Sequence, residues 1–185
     1  GFAHLGVPRS GAADHGSYRL ANRLAGNDSS AAVLETSGGF VATALRDVAV
    51  VLTGPDCEAT VDARPLSRCR ATTMRAGESL RVERIRGGTR AYISVAGGIV
   101  GVDGHDVDHQ LLNSLSHDTL SGFTPVLLHN GVVLRLGAPL NPPSSLDLAI
   151  DHDRSQPLAM SEGPHREMFT FEFIRRVVST TWSVS

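Results

Sequence analysis

The chain has 185 residues, 41% of them apolar and 19% charged, with a formal net charge of −2. That balance excludes a disordered tail, a basic nucleic-acid binder and a collagen-like fibre, and the length suits one domain or a pair of lobes. All 17 lysine-or-arginine positions are arginine, so any P-loop, Schiff-base or biotin-carrier lysine would have to come from another chain or domain.

The first predicted element is a turn. Gly6-Val7-Pro8-Arg9-Ser10-Gly11 combines a proline that restricts φ with glycines that permit unusual backbone conformations. Asp14 follows as a helix N-cap, with Tyr18, Ala21, Leu24 and Ala25 at helical spacing and Gly26-Asn27 as the stop. From residue 31 to 98 the pattern turns to strands, at 31–35, 40–45, 47–53, 58–62, 69–75, 79–85 and 90–96. They are short, rich in β-branched residues and punctuated by glycine and proline pairs, which predicts an antiparallel barrel or sandwich. Arg81, Glu83 and Thr89 among apolar neighbours put one sheet face in water.

The stretch 101–122 shows no clear period and is expected to be a long polar loop. A strand at 132–136 follows, then Asn141-Pro142-Pro143-Ser144-Ser145 as a linker. Further strands are expected at 146–151 and 158–161, then a helix from Thr170 through 171–177 and a last strand at 182–184. The expected division is a first lobe over 1–140, with its N-terminal loop and helix, and a linker with a partial second lobe over 141–185. That last strand has no partner left in the sequence, so the chain is expected to be truncated.

Few residues have spacings that carry chemistry. No run of roughly 18 apolar residues could cross a bilayer as a helix, and no membrane or nucleic-acid partner is expected. Cys57 and Cys69 have no CxxC spacing, and no signal-peptide pattern is seen. Unlinked thiols in a reducing, cytoplasmic setting are the expectation. His105-Asp106-Val107-Asp108-His109 gathers two imidazoles and two carboxylates, but neither HExxH nor an EF-hand pattern fixes them on one face. It reads as a solvated loop, as does Asp151-His152-Asp153, and no metal site is assigned. No Gly-x-Ser-x-Gly elbow supports a serine hydrolase.

The Gly6–Asp14 loop is the most suggestive element. It presents an arginine, a serine and a carboxylate at a helix N-terminus, where exposed amides favour anionic or carbonyl oxygens and Arg9 can add a bidentate contact. A plain structural start to the helix is the alternative. Gly97-Gly98 is a tight turn whose backbone could approach a ligand closely.

These elements, in this order, resemble one family. The residues that carry the likeness are Gly6–Gly11 with Asp14, Arg19–Leu24, Gly26-Asn27, Leu34-Glu35, Leu52-Thr53-Gly54 with Asp56, Arg90–Gly98, Asp118–Gly122 and Gly163-Pro164. The family is that of the C subunit of bacterial 5-oxoprolinase, also called allophanate hydrolase subunit 2 or biotin-dependent carboxyltransferase-like protein. The resemblance implies a mainly β fold, a cyclophilin-like antiparallel β-barrel with a few short helices and the start of a second related lobe.

It also implies a homologous B subunit as partner, a third separate subunit in the 5-oxoprolinase system, and a small-molecule amide substrate. The complex would use ATP to open 5-oxoproline to glutamate, with no cofactor bound by this chain alone. A carboxyltransferase role in a urea carboxylase or allophanate hydrolase system is the first alternative, and there biotin would enter. A non-catalytic partner of a histidine-kinase inhibitor is the second. The expected site has Arg9 orienting a substrate carboxylate and Asp14 positioning a proton or the helix start. Ser10, Gly11, Asn22, Gly97, Gly98 and Asp118 border the substrate. One departure weakens anion binding at Leu112–Asp118: Leu115 stands where the family has an arginine.

Overall fold

A computed structural model of the chain describes residues 3–7, 11–102, 105–106, 115–116, 128–149, 161 and 163–181. They fall into two units, one within 1–152 and one within 153–185.

In the first unit, helix α1 spans His15–Ala25. Asp14 supplies its N-cap: Oδ1 accepts from the Gly16 and Ser17 amides, satisfying two donors that a helix start leaves unpaired. Gly26 ends it in the left-handed conformation at φ 77°, which glycine adopts without a side-chain clash. Both boundaries match the sequence reading. The buried face is more polar than expected, because Ser17 and Asn22 join Ala21, Leu24 and Ala25 on it.

Among the described residues eleven strands follow: β1 Leu34–Thr36, β2 Phe40–Thr43, β3 Val48–Thr53, β4 Asp56–Val61, β5 Arg64–Pro65, β6 Ala71–Met74, β7 Ser79–Arg86, β8 Ala91–Val95, β9 Ile99–Val102, β10 His105–Asp106 and β11 Leu134–Leu136. All their pairings are antiparallel. They make sheets ordered β1-β8-β3-β6, β2-β7-β4-β5 and β10-β9-β11. The mainly β, antiparallel expectation therefore holds. The barrel expectation does not carry to closure, since among the described residues the pairings form three sheets and no ring.

Alternation along β3 and β8 explains how the first sheet is covered on both faces. Val50, Leu52, Ala91 and Ile93 point into a core shared with Ala59 and Val61 of β4, Leu80 and Val82 of β7, and Ile99 of β9. On the opposite face, Val51 packs with Leu24 and Ala25 of α1, and Thr53 Oγ1 donates to the Ser17 carbonyl at 2.8 Å. Each fully buried valine or leucine in such a layer contributes roughly 1.5–3 kcal/mol.

Several expectations change. The loop expected over 101–122 is a strand at its start, because Gly101 and Val102 complete β9 and His105–Asp106 pairs with it; residues 103–104, 107–114 and 117–122 lie outside the described residues. Instead of a strand at 146–151, there is an isolated bridge between Arg70 and Asp147. The prolines that lead into this segment lack the amides a ladder would need. The strands expected at 158–161 and 182–184 fall almost wholly outside the described residues. Both cysteines are free thiols, and burial pushes each above the usual thiol range. The second unit holds helix α2, Phe171–Ser179, capped by Thr170 Oγ1 accepting from the Phe173 amide. No helix of the described residues is long and apolar enough to cross a membrane.

Candidate functional site

The loop entering α1 docks on the edge of the first sheet through side chains. β1 pairs with β8 so that Glu35 lies directly opposite Tyr92, and opposite residues point to the same face. Glu35 Oε2 accepts from the Ala13 amide at 2.9 Å, and Tyr92 Oη accepts from the Asp14 amide at 2.7 Å. Arg90 Nε reaches Glu35 Oε1 at 3.2 Å. The Asp14 carboxylate turns the other way, into the helix, where Oδ2 also accepts from Ser17 Oγ at 2.6 Å.

Tyr92 is only 1% exposed. Burial is the main cause that pushes its phenol up to about 12; the hydrogen bond from the Asp14 amide, next in size, opposes it, and the Glu35 hydrogen bond with the negative charges of Glu35 and Asp14 adds to the rise. The phenol is therefore a proton holder at any ordinary pH.

Gly11, at φ 109°, is exposed. A Cβ there would sit 3.7 Å from Ser116 Oγ. Two segments singled out in the sequence, the 6–14 loop and the 112–118 stretch, thus meet at Gly11 and Ser116.

The other expected residues gather at the far end of α1. Asn22 is fully buried; its Nδ2 donates to the Ala31 carbonyl at 2.8 Å, and its Oδ1 accepts from Ser94 Oγ at 2.8 Å and Asn27 Nδ2 at 3.3 Å. Asn27 continues the network: Nδ2 donates to the Val95 carbonyl and Oδ1 accepts from the Gly97 amide. The Gly98 amide closes a turn onto Val95, and its carbonyl accepts from the Gly137 amide. A side chain at Gly97 would run into the Gly137 carbonyl, and one at Gly26 into that of Asn141. Segment 137–144 thus straps across both glycines.

The structure therefore brings Gly11 and Asp14 together at one end of α1, and Asn22, Gly97 and Gly98 at the other. Arg9, Ser10 and Asp118 lie outside the described residues. Glu35, Tyr92 and Arg90 had no role assigned from sequence, although all three stand in the motifs that carry the resemblance. The signal was their alternate placement at a strand edge, which becomes readable only once β1 and β8 are paired. Among the described residues, no group of three or more His, Cys, Asp or Glu side chains could hold a metal ion.

Residues 5–185 match the family described as carboxyltransferase domain, subdomain A and B. The chain belongs to that family. Relatives of this carboxyltransferase domain include the C subunit of 5-oxoprolinase from Escherichia coli, 39% identical over 100 residues that cover 54% of this chain and 32% of that protein. Urea amidolyase of Saccharomyces cerevisiae is 30% identical over an alignment of 203 residues, covering 100% of this chain and 10% of the yeast protein. The crystal structure of K. lactis urea amidolyase superposes with a TM-score of 0.68 at 26% identity, covering 92% of this chain and 11% of that one. The chain spans about a third of the first relative's length and about a tenth of the urea amidolyases'.

Within the carboxyltransferase domain, the Glu35–Arg90–Tyr92 end is the charged one and holds the loop that enters α1. The Asn22 end is neutral and internally paired. Chemically, the first can hold a backbone segment in one place through its Ala13 and Asp14 amides; the second can only set distances.

Proposed function

We propose that this carboxyltransferase domain is part of the C subunit of an ATP-dependent 5-oxoprolinase, a hydrolase acting on a cyclic amide together with a homologous B subunit and a third, separate subunit. The supporting observation is its 39% identity to the E. coli 5-oxoprolinase protein, in a stretch covering 54% of the chain. A cytoplasmic location goes with this reading.

The physical problem is an unactivated lactam, whose amide resonance opposes attack. ATP used by the complex activates the carbonyl oxygen, and hydrolysis follows. What this chain supplies is binding and orientation. Arg9 holds the substrate carboxylate with two parallel hydrogen bonds, and Ser10 and Gly11 border it. Asp14 acts by fixing the helix start, since its carboxylate accepts from Gly16 and Ser17. Asn22, Gly97 and Gly98 act one layer back, by setting the height of α1 over β8. Asp118 borders the substrate in the same reading.

The test is ATP-dependent glutamate release from 5-oxoproline by the full C subunit reconstituted with its partners. The isolated chain is expected to be inactive. Arg9→Ala is expected to lower turnover at limiting substrate by about a hundredfold, as expected for a lost bidentate carboxylate contact; unchanged turnover would remove Arg9 from the site.

A second reading, carboxyl transfer from carboxybiotin to urea, draws on the alignment with urea amidolyase across the whole chain. With no lysine in the chain, the biotin would have to be carried elsewhere. Urea-dependent turnover with a biotinylated partner, and none with 5-oxoproline, would select it.

A further inference from the structure

The amides just before α1 are held by two side chains of the first sheet. The amides of Ala13 and Asp14 each go to a different strand, one to Glu35 Oε2 and the next to Tyr92 Oη. Those acceptors are cross-strand neighbours, and Arg90, the residue just before β8, pairs with the carboxylate. Tyr92 is buried to 1% exposure, so its hydroxyl has no freedom to follow a moving loop. Two residues earlier than Ala13, Gly11 sits exposed at φ 109°, a conformation that lets the chain pivot there.

We infer that Glu35 and Tyr92 are positioning residues: together they latch residues 13 and 14 to the sheet, and so fix the Gly11–Asp14 entry to α1, which the 5-oxoprolinase reading places beside substrate. Arg90 pairs with the Glu35 carboxylate and holds its aim. Neither Glu35 nor Tyr92 needs to touch substrate. The kinetic side of this inference rests on the 5-oxoprolinase reading; the structural side stands apart from it.

Two measurements on the full C subunit in its reconstituted complex separate these sides. In hydrogen exchange, Tyr92→Phe and Glu35→Ala are expected to speed exchange of the Ala13 and Asp14 amides by about tenfold, with β3 and β7 amides unchanged. Glu35→Gln, which keeps an acceptor oxygen, is expected to restore most of the protection at Ala13. In kinetics, Tyr92→Phe is expected to raise KM for 5-oxoproline about tenfold with kcat within about twofold, the signature of a misplaced binding loop.

Unchanged exchange at residues 13 and 14 in Tyr92→Phe would overturn the latch. A fall in kcat with KM unmoved would overturn the positioning role. If the wild-type complex releases no glutamate, the 5-oxoprolinase reading falls, and the exchange measurement still decides the latch. Should Glu35→Ala not fold, Tyr92→Phe, which removes one oxygen, carries both measurements.

Discussion

Helix α1 is held at its two ends by opposite means. Its N-terminal end depends on ionisable side chains: the Asp14 cap, the Glu35 carboxylate, the Arg90 guanidinium and the Tyr92 phenol. Its C-terminal end depends on neutral amides and tight backbone approach, through Asn22, Asn27, Ser94 and the strap over Gly26 and Gly97. The same strand, β8, serves both. The contrast shows where adjustment is available: side-chain hydrogen bonds at an exposed start can open singly, whereas a closed network with backbone against backbone fails as a unit.

The sharpest way to break this contrast is at the glycines. Gly97→Ala combines a positive φ with a collision against the Gly137 carbonyl, and is expected to destabilise by roughly 3 kcal/mol in urea unfolding. A loss under about 1 kcal/mol would mean that the strap yields. Asn22→Ala comes next. It leaves the Ser94 hydroxyl and the Ala31 carbonyl short of a partner in a fully buried place, for about 2 kcal/mol.

Tyr92→Phe sharpens the comparison through pH. The phenol is raised from about 10 to about 12 in the folded chain. Between those values the unfolded chain has released a proton that the folded chain keeps, so stability falls as pH rises through the window. Wild-type protein should lose up to about 2 kcal/mol there that Tyr92→Phe does not lose, read from unfolding at about pH 9, 10.5 and 12.

The remaining expected effects are smaller. Asp14→Ala should cost about 1 kcal/mol, the ordinary worth of an N-cap, measured by urea unfolding near neutral pH. Arg70→Ala sets the floor. Its ion pair with Asp147 is more than half exposed on both sides, and its removal is expected to change stability by less than about 0.5 kcal/mol.

Much of the fold was legible because its signals are local. Asp14 and Gly26 mark α1 by chemistry within a few residues of the helix, and valine-rich runs between glycine turns mark most strands. β9 and β10 escaped because Gly101 breaks the alternation and His105-Asp106 looks like solvated charge until it pairs. The site was legible in a different measure. Asp14 and Gly11 were marked by their loop, yet Glu35, Arg90 and Tyr92 take their meaning from a pairing between strands far apart in the sequence. Asn22 and Gly97 looked like pocket residues because polar and glycine positions suggest access. Burial and the strap, both long-range facts, make them part of the frame.

One consequence concerns chain length within β8. Odd and even positions there serve different neighbours, hydrocarbon on one side and the hydroxyls of Tyr92 and Ser94 on the other. Inserting or deleting a single residue between 91 and 95 would exchange the two sides, sending a phenol into the apolar layer and an isoleucine beneath the helix. Natural variants of this chain should therefore accept point substitutions along β8 more readily than any change in its residue count.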